Sequence, residues 1–329
     1  MPAVEQVDRL RLRWSRLAEA VPRTGPALIA LAALVLGAVV LPQCFPARAR
    51  ADVVEYMVPT PEMPDVKVRI WRAAGGGKKS LILLDDLRAS PERSGWEQNT
   101  DAENIALGGI NIVEPVGGQA SFYTDWDSRS NLNGQPYRYL WETFLAVTLP
   151  KFLASIGLDS RHNAIAGASM GGGAALILAA NHRELFAFAG SFSGFVNVSA
   201  PGARESIRVV MLGDGGYNSD SMWGPPWSPR WMQNDATVRA EDLRGLPMYI
   251  SAGGGGTTSF DAANPGLDTL NAQMLEGMAN SEARALQRRF GELDIRATFD
   301  FTEEGTHTWP YWKAELWKAL PKIRLALGV

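Results

Sequence analysis

Ser169 stands in the stretch Asn163-Ala164-Ile165-Ala166-Gly167-Ala168-Ser169-Met170-Gly171-Gly172-Gly173-Ala174-Ala175. An apolar run rises to Gly167, and a small-residue helical pattern follows from Gly171 to Ala180, with Leu176 and Leu178 available for packing. Strand, sharp turn and helix suit a nucleophilic serine, because the turn lifts its hydroxyl above the end of a sheet with no neighbouring side chain to shield it. The amide of Met170, at the start of the helix, points to where an oxyanion would form, and the helix dipole favours negative charge there. In a chain with 33 glycines a bare Gly-x-Ser-x-Gly carries little weight. Its place between a strand pattern and a helix pattern gives it meaning.

A serine hydroxyl needs a base, and the chain has only His162, His182 and His307. His162 precedes the nucleophile strand, at its wrong end, and His182 ends the following helix, so both are expected at the surface. His307 lies in Gly305-Thr306-His307-Thr308-Trp309-Pro310, after a strand pattern over Ala297 to Phe301 and hence at the same sheet edge as Ser169. It is the predicted base. The acid should fall between serine and histidine in chain order. Asp261, Asp268 and Glu276 all qualify by position. A second oxyanion donor is expected from the loop after an early strand, which makes the Leu87 amide in Asp85-Asp86-Leu87-Arg88-Ala89-Ser90 the candidate.

These residues need a sheet to hold them. Val66 to Trp71 alternates and reads as a strand, Ala74 to Lys79 as a turn, and Ser80 to Leu84 as a short buried strand. Further strands are expected at Ile110 to Val113, Phe186 to Phe192, Val209 to Leu212 and Met248 to Ser251. Tyr139 to Ile156 has helical spacing, with Leu140, Phe144, Val147 and Leu153 inward and Pro150 as a kink or break. Strands alternating with helices predict an α/β fold with a mostly parallel sheet covered on both faces. The aromatic segment Phe122-Tyr123-Thr124-Asp125-Trp126 either lines a groove or packs a loop onto the core, and Met222 to Trp231, with three tryptophans, reads as a surface loop walling a cleft. The clusters Gly213 to Gly216 and Gly253 to Gly256 read as loops at strand ends, since neither is followed by the Gly-Lys-Ser/Thr of a phosphate loop.

The first 51 residues differ from the rest. Arg9, Arg11, Arg13, Arg16 and Arg23 form a basic leader, Gly25 to Leu41 is almost unbroken apolar sequence, and Ala47-Arg48-Ala49-Arg50-Ala51 closes it. This is the pattern of a secretory signal peptide cleaved before Asp52, leaving residues 52–329 as one catalytic domain. The alternative is an uncleaved N-terminal anchor. The only cysteine, Cys44, fits a lipid-attachment box poorly and lies within the leader, which excludes thiol catalysis and cysteine-bound metal in the mature part. Of 32 basic and 35 acidic residues, seven and three lie in the leader, so the remainder carries 25 against 32. Nothing in that balance suggests a nucleic-acid partner, and the serine chemistry requires neither cofactor nor metal.

Taken together, these motifs resemble the antigen 85 family of mycolyltransferases, which have the α/β-hydrolase fold of the esterase-D-like superfamily. The matching stretches are Leu83 to Ala89, Pro115 to Gln119 through Trp126, Trp141-Glu142-Thr143-Phe144-Leu145, Ser169-Met170-Gly171-Gly172, Met222-Trp223-Gly224-Pro225 and Gly305 to Trp309. The resemblance selects Glu276, in Met274-Leu275-Glu276-Gly277-Met278, as the acid. It implies an oxyanion hole of Leu87 and Met170, and a substrate site bordered by Leu87, Arg88, Ser169, Asn197, His307, Thr308 and Trp309. Two positions depart from the family: Asn197 stands where aspartate is common, and Asp86 where glycine is usual. The cysteines of many mycobacterial members are absent, which suggests a relative outside that group. The implied activity is transfer of a mycolyl group from trehalose monomycolate to a second trehalose monomycolate or to cell-wall arabinogalactan, by a secreted or envelope protein. Binding to extracellular matrix follows by family analogy alone. The rival readings are a secreted carboxylesterase of the same fold and a non-catalytic surface binding protein.

Overall fold

A computed structural model of the chain describes residues 51–261 and 267–329. The expected leader, with Cys44 and its cleavage site, lies outside the described residues except for Ala51 and Asp52. Eight strands form one sheet in the order β1-β2-β4-β3-β5-β6-β7-β8. β1 (Val53–Val58), β2 (Val66–Trp71) and β4 (Asn111–Val116) pair antiparallel, whereas β3 (Ser80–Leu84), β5 (Asn163–Ala168), β6 (Phe186–Phe192), β7 (Met248–Ala252) and β8 (Thr298–Phe301) continue from β4 in parallel. The parallel strands put their carboxyl ends on one edge, where ligands bind in sheets of this kind.

The apolar runs are continuous because both faces are covered. In β3, Ile82 and Leu84 join one buried cluster while Leu81 and Leu83 join the other. One face is covered in part by α2 (Trp141–Thr143), α3 (Leu149–Ser155) and α4 (Met170–Asn181), and the other by α1 (Gly95–Asn99) and the C-terminal α9 (Trp309–Leu327) through Trp96, Trp312, Leu316 and Ile323. α4 is buried from Met170 to Ala180, which explains its apolar composition all round.

The structure corrects several expectations. Val209 to Leu212 is no strand: it lies inside α5 (Ala203–Gly215), with Ile207 and Met211 buried and Val209 and Leu212 70% and 54% exposed. A four-residue apolar run does not distinguish the two periods, and the i, i+4 pair decides for the helix. The Gly213 to Gly216 cluster is accordingly that helix's last turn and its left-handed cap, Gly216. Val147 faces solvent at 46% exposure. Pro150 does not end its segment: it stands in the first turn of α3, after a π-helical stretch, Phe144–Thr148, that separates α2 from α3 and in which the Leu149 N–H bonds Phe144 O. The wider turn absorbs the donor that proline lacks. β1, largely exposed and without a clear pattern, was not anticipated. Phe122, Tyr123 and Trp126 pack into the core and form no open groove. The Trp-rich segment contains the short helices α6 (Ser219–Trp223) and α7 (Arg230–Gln233), with Trp223 and Trp231 buried and only Trp227 exposed.

Candidate active site

Ser169 joins β5 to α4 at φ 53° and ψ −119°, a left-handed conformation costly for any residue with a side chain. The surrounding glycines hold it there. A Cβ on Gly167 would stand 2.4 Å from the Gly171 backbone, and one on Gly171 would stand 2.4 Å from Asp85 O and 2.6 Å from Leu84 O. Helix α4 thus sits directly against the end of β3, and the turn cannot relax without parting them. Ser169 is buried at 3% exposure, and its N–H bonds Phe192 O at 2.9 Å.

His307 Nε2 lies 2.8 Å from Ser169 Oγ, and His307 Nδ1 lies 2.9 Å from Glu276 Oε2. The imidazole stacks on Phe195 at 5.9 Å and meets Trp312 edge-on at 5.0 Å. Glu276, 1% exposed on α8 (Leu267–Glu292), has its other oxygen occupied: Oε1 accepts from Ser193 Oγ at 2.7 Å and from the Gly253 N–H at 2.5 Å. Ser193, in its own left-handed turn at φ 49°, carries no motif and was missed from sequence. Of the other acids considered, Asp268 is exposed, and Asp261 accepts from Thr306 Oγ1 and Tyr311 OH, each at 2.5 Å. Asp261 thereby steadies the loop of His307 without touching the imidazole. His162 is exposed as expected, whereas His182 is half-buried, with Nε2 3.0 Å from Glu142 Oε1.

The Met170 amide opens α4, where no carbonyl one turn back is available to it. The Leu87 amide follows the end of β3, and its loop is fixed by the Ala120 N–H donating to Leu87 O at 2.9 Å. Beside His307 a cleft of about 540 Å³ is lined by Arg88, Thr308, Trp309, Asp86, Asn99 and Phe260 among others. Arg88 is 80% exposed, and its Nε donates to Asp214 at 2.9 Å. Trp309 packs edge-on against Trp96 and Trp312. Asn197 is not among the residues lining this cleft; its N–H donates to buried Glu282 at 2.9 Å. Asn99 and Phe260 were missed because neither belongs to a recognisable motif.

The electrostatics follow from burial. Asp85, which accepts from Ser94 Oγ at 2.8 Å and the Gly95 N–H at 3.0 Å, is pushed up to about 7, mainly by loss of solvent. Asp86 is raised for the same reason, opposed by the positive field of His307 and a bond from the Arg88 amide. Among the described residues, no group of three or more His, Cys, Asp or Glu could hold a metal ion.

A buried serine, imidazole and carboxylate in one hydrogen-bonded line, with the Met170 amide next to the serine in the chain, can activate a hydroxyl for attack on an ester carbonyl. Comparison with known proteins identifies the family. Residues 64–323 match the family model described as Putative esterase. The chain is 38% identical over 282 residues to the diacylglycerol acyltransferase/mycolyltransferase Ag85C of Mycobacterium leprae, covering 84% of this chain and 82% of that one. It is also 38% identical to Ag85B of Mycobacterium intracellulare, with 84% of each covered. The crystal structure of Mycobacterium tuberculosis MPT51 (FbpC1) superposes with a TM-score of 0.73 at 31% identity, over 84% of this chain and 99% of that one. The Staphylococcus aureus serine hydrolase FphF, at 14% identity and a TM-score of 0.63, shares the fold alone. The chain belongs to the antigen 85 family, within the putative esterases of α/β-hydrolase fold.

Proposed function

We propose that the protein is an envelope or secreted mycolyltransferase that moves a mycolyl group from trehalose monomycolate through a Ser169 acyl-enzyme. The observation that carries this reading is the continuous line from Ser169 Oγ to His307 and from His307 to Glu276, at 2.8 and 2.9 Å. His307 takes the Ser169 proton as Oγ attacks the ester carbonyl, Glu276 stabilises the imidazolium, and the Leu87 and Met170 amides receive the oxyanion. Collapse breaks the ester C–O bond, and His307 returns its proton to the departing trehalose oxygen. A sugar hydroxyl, from a second trehalose monomycolate or from arabinogalactan, then gives its proton to His307 and attacks the acyl carbonyl; the bond to Ser169 Oγ breaks, His307 returns the proton to Oγ, and the sugar leaves with the mycolyl group.

Arg88, Thr308 and Trp309 stand in the cleft beside His307, where they would meet the sugar of the donor. Asn197 would act at most through its neighbours. The relatives are diacylglycerol acyltransferases/mycolyltransferases, which supports acyl transfer in general; the trehalose donor belongs to the proposal. Export by the N-terminal leader belongs to the same proposal, and among the described residues no helix is long and apolar enough to cross a membrane. The same line of residues would serve a carboxylesterase. Purified protein and Ser169→Ala, incubated with trehalose monomycolate and analysed by intact mass and product chromatography, separate the readings. Trehalose dimycolate from the wild type and not from the variant is expected; free mycolic acid alone would make the protein an esterase, and no acyl adduct would leave only binding.

A further inference from the structure

The segment that follows β6, Ser193 to Asn197, touches every member of the catalytic line. Ser193 Oγ donates to Glu276 Oε1 at 2.7 Å, the Phe195 ring stacks on His307 at 5.9 Å, and the Phe195 N–H reaches Ser169 O at 3.4 Å. The segment also packs on the first turn of α4, where a Cβ on Gly173 would stand 2.1 Å from Phe195 O. A shift of this segment therefore displaces serine, imidazole and carboxylate relative to one another, and small misplacements of reacting groups are costly in rate.

Two acids of one helix hold it. Glu276 takes its near end through Ser193. Glu282, about 9 Å further along the axis of α8, takes its far end: Oε2 accepts from the Asn197 N–H at 2.9 Å, and the Val196 N–H is directed at the same carboxylate. On the other side, Val196 O accepts from the Thr237 N–H at 3.0 Å and from Thr237 Oγ1 at 2.9 Å.

A contact that only braced a loop would need an acceptor and no charge. Glu282 is nevertheless an acid, 7% exposed, and among the described residues it has no cationic partner. Burial pushes its carboxyl up to about 7, opposed by the two amides, which favour the ionised form. Asp235, in the loop after α7, faces it as a second negative charge and is itself held by the Ser199, Thr237 and Val238 N–H groups. The Ser193–Asn197 segment brings no ionisable side chain. On α8 itself Glu276 is turned to His307 and Arg284 to the Phe301 ring, while Glu241 and Asp242, on the turn packed against α8, are exposed.

We propose that Glu282 is a positioning residue for acylation, whose ionised carboxylate fixes the Ser193–Asn197 segment and, through it, the line of Ser169, His307 and Glu276. This role rests on the Ser169 acyl-enzyme proposed above and is independent of the acceptor. Ionised, both oxygens of Glu282 accept. Protonated, one of them becomes a donor facing N–H groups, and the hold on the segment loosens.

The test compares the full chain with Glu282→Gln, which places an NH2 where the protonated acid has its OH. Pre-steady-state acylation by a p-nitrophenyl ester is followed from about pH 5.5 to 8.5, resolving ester binding from the acylation rate constant. Dividing the wild-type rate by the variant rate cancels the His307 titration common to both. That ratio should be about ten at high pH and fall to about one at low pH, with its midpoint at about 7. Ester binding should stay within about twofold, because Glu282 is not among the residues lining the cleft. A ratio that stays level overturns the proposal: level near one, Glu282 has no part in acylation, and level near ten with a lowered melting temperature, it only braces the fold. An effect confined to ester binding overturns it as well. A wild type that cleaves the ester but makes no trehalose dimycolate defeats the transferase reading and leaves this test intact. An inert wild type defeats the proposed function as a whole, and the His307 Nδ1–H resonance, which reports the bond to Glu276 without turnover, then decides the positioning. A shift near neutral pH that Glu282→Gln lacks supports it, and identical spectra overturn it.

Discussion

Ser193→Ala tests whether the orientation of Glu276 depends on a residue far from it in sequence. The Ser193 hydroxyl is one of two donors to Glu276 Oε1, the other being the Gly253 amide, and together they turn Oε2 toward His307. A hydrogen bond to a charged group contributes about 1.5–3 kcal/mol. The Gly253 bond survives the substitution, so the lower end applies, about 1.5 kcal/mol or roughly tenfold in kcat/KM. The assay is pre-steady-state acylation by a p-nitrophenyl ester, with thermal unfolding measured in parallel. Ser193→Gly separates hydroxyl from backbone: at φ 49° glycine removes a left-handed strain of about 1 kcal/mol that alanine retains, so this variant should be the more stable and equally slow. A Ser193→Ala protein that folds normally and acylates within twofold of the wild-type rate would refute the reasoning, and recovery of activity in Ser193→Gly would shift the cause to the backbone.

Three further outcomes are expected. Glu276→Gln should keep the fold and lower kcat by about 10³–10⁴, because the amide neither fixes the tautomer nor stabilises the imidazolium as a carboxylate does; stopped-flow acylation checks this. Gly171→Ala should lose about 1–3 kcal/mol or more in a urea melt, since its Cβ would press on the carbonyls of Asp85 and Leu84, which are fixed backbone. Glu282 is held up at about 7, chiefly by burial, against an ordinary 4.5. The folded state therefore binds that proton more tightly than the unfolded chain does. Its contribution is fully present below about pH 4.5 and is lost as pH rises to about 7, with a slope of up to about 1.4 kcal/mol per pH unit. Urea unfolding of Glu282→Gln from pH 4 to 8 should lack that slope relative to wild type.

What could be read from the chain was local or chemically forced. Ser169 declared itself because a serine between glycines, with a strand before and a helix after, is the pattern of that turn, and His307 because only three histidines compete. β3 and β5 were legible since strands buried on both faces need unbroken apolar residues. Elsewhere the physical signal was divided. Val209 to Leu212 has the composition of a strand, yet only the burial of Ile207 and Met211 in three dimensions makes it helical. Asp261, Asp268 and Glu276 were equivalent by position; contact across the fold separates them, with Glu276 reaching His307 and Asp261 reaching Thr306. Ser193 lies 83 residues from Glu276 along the chain. Sequence fixes which groups exist and which backbone turns are tolerated; only packing decides which of them face one another, because hydrogen bonds and ring contacts depend on distance in space and leave no period in the sequence.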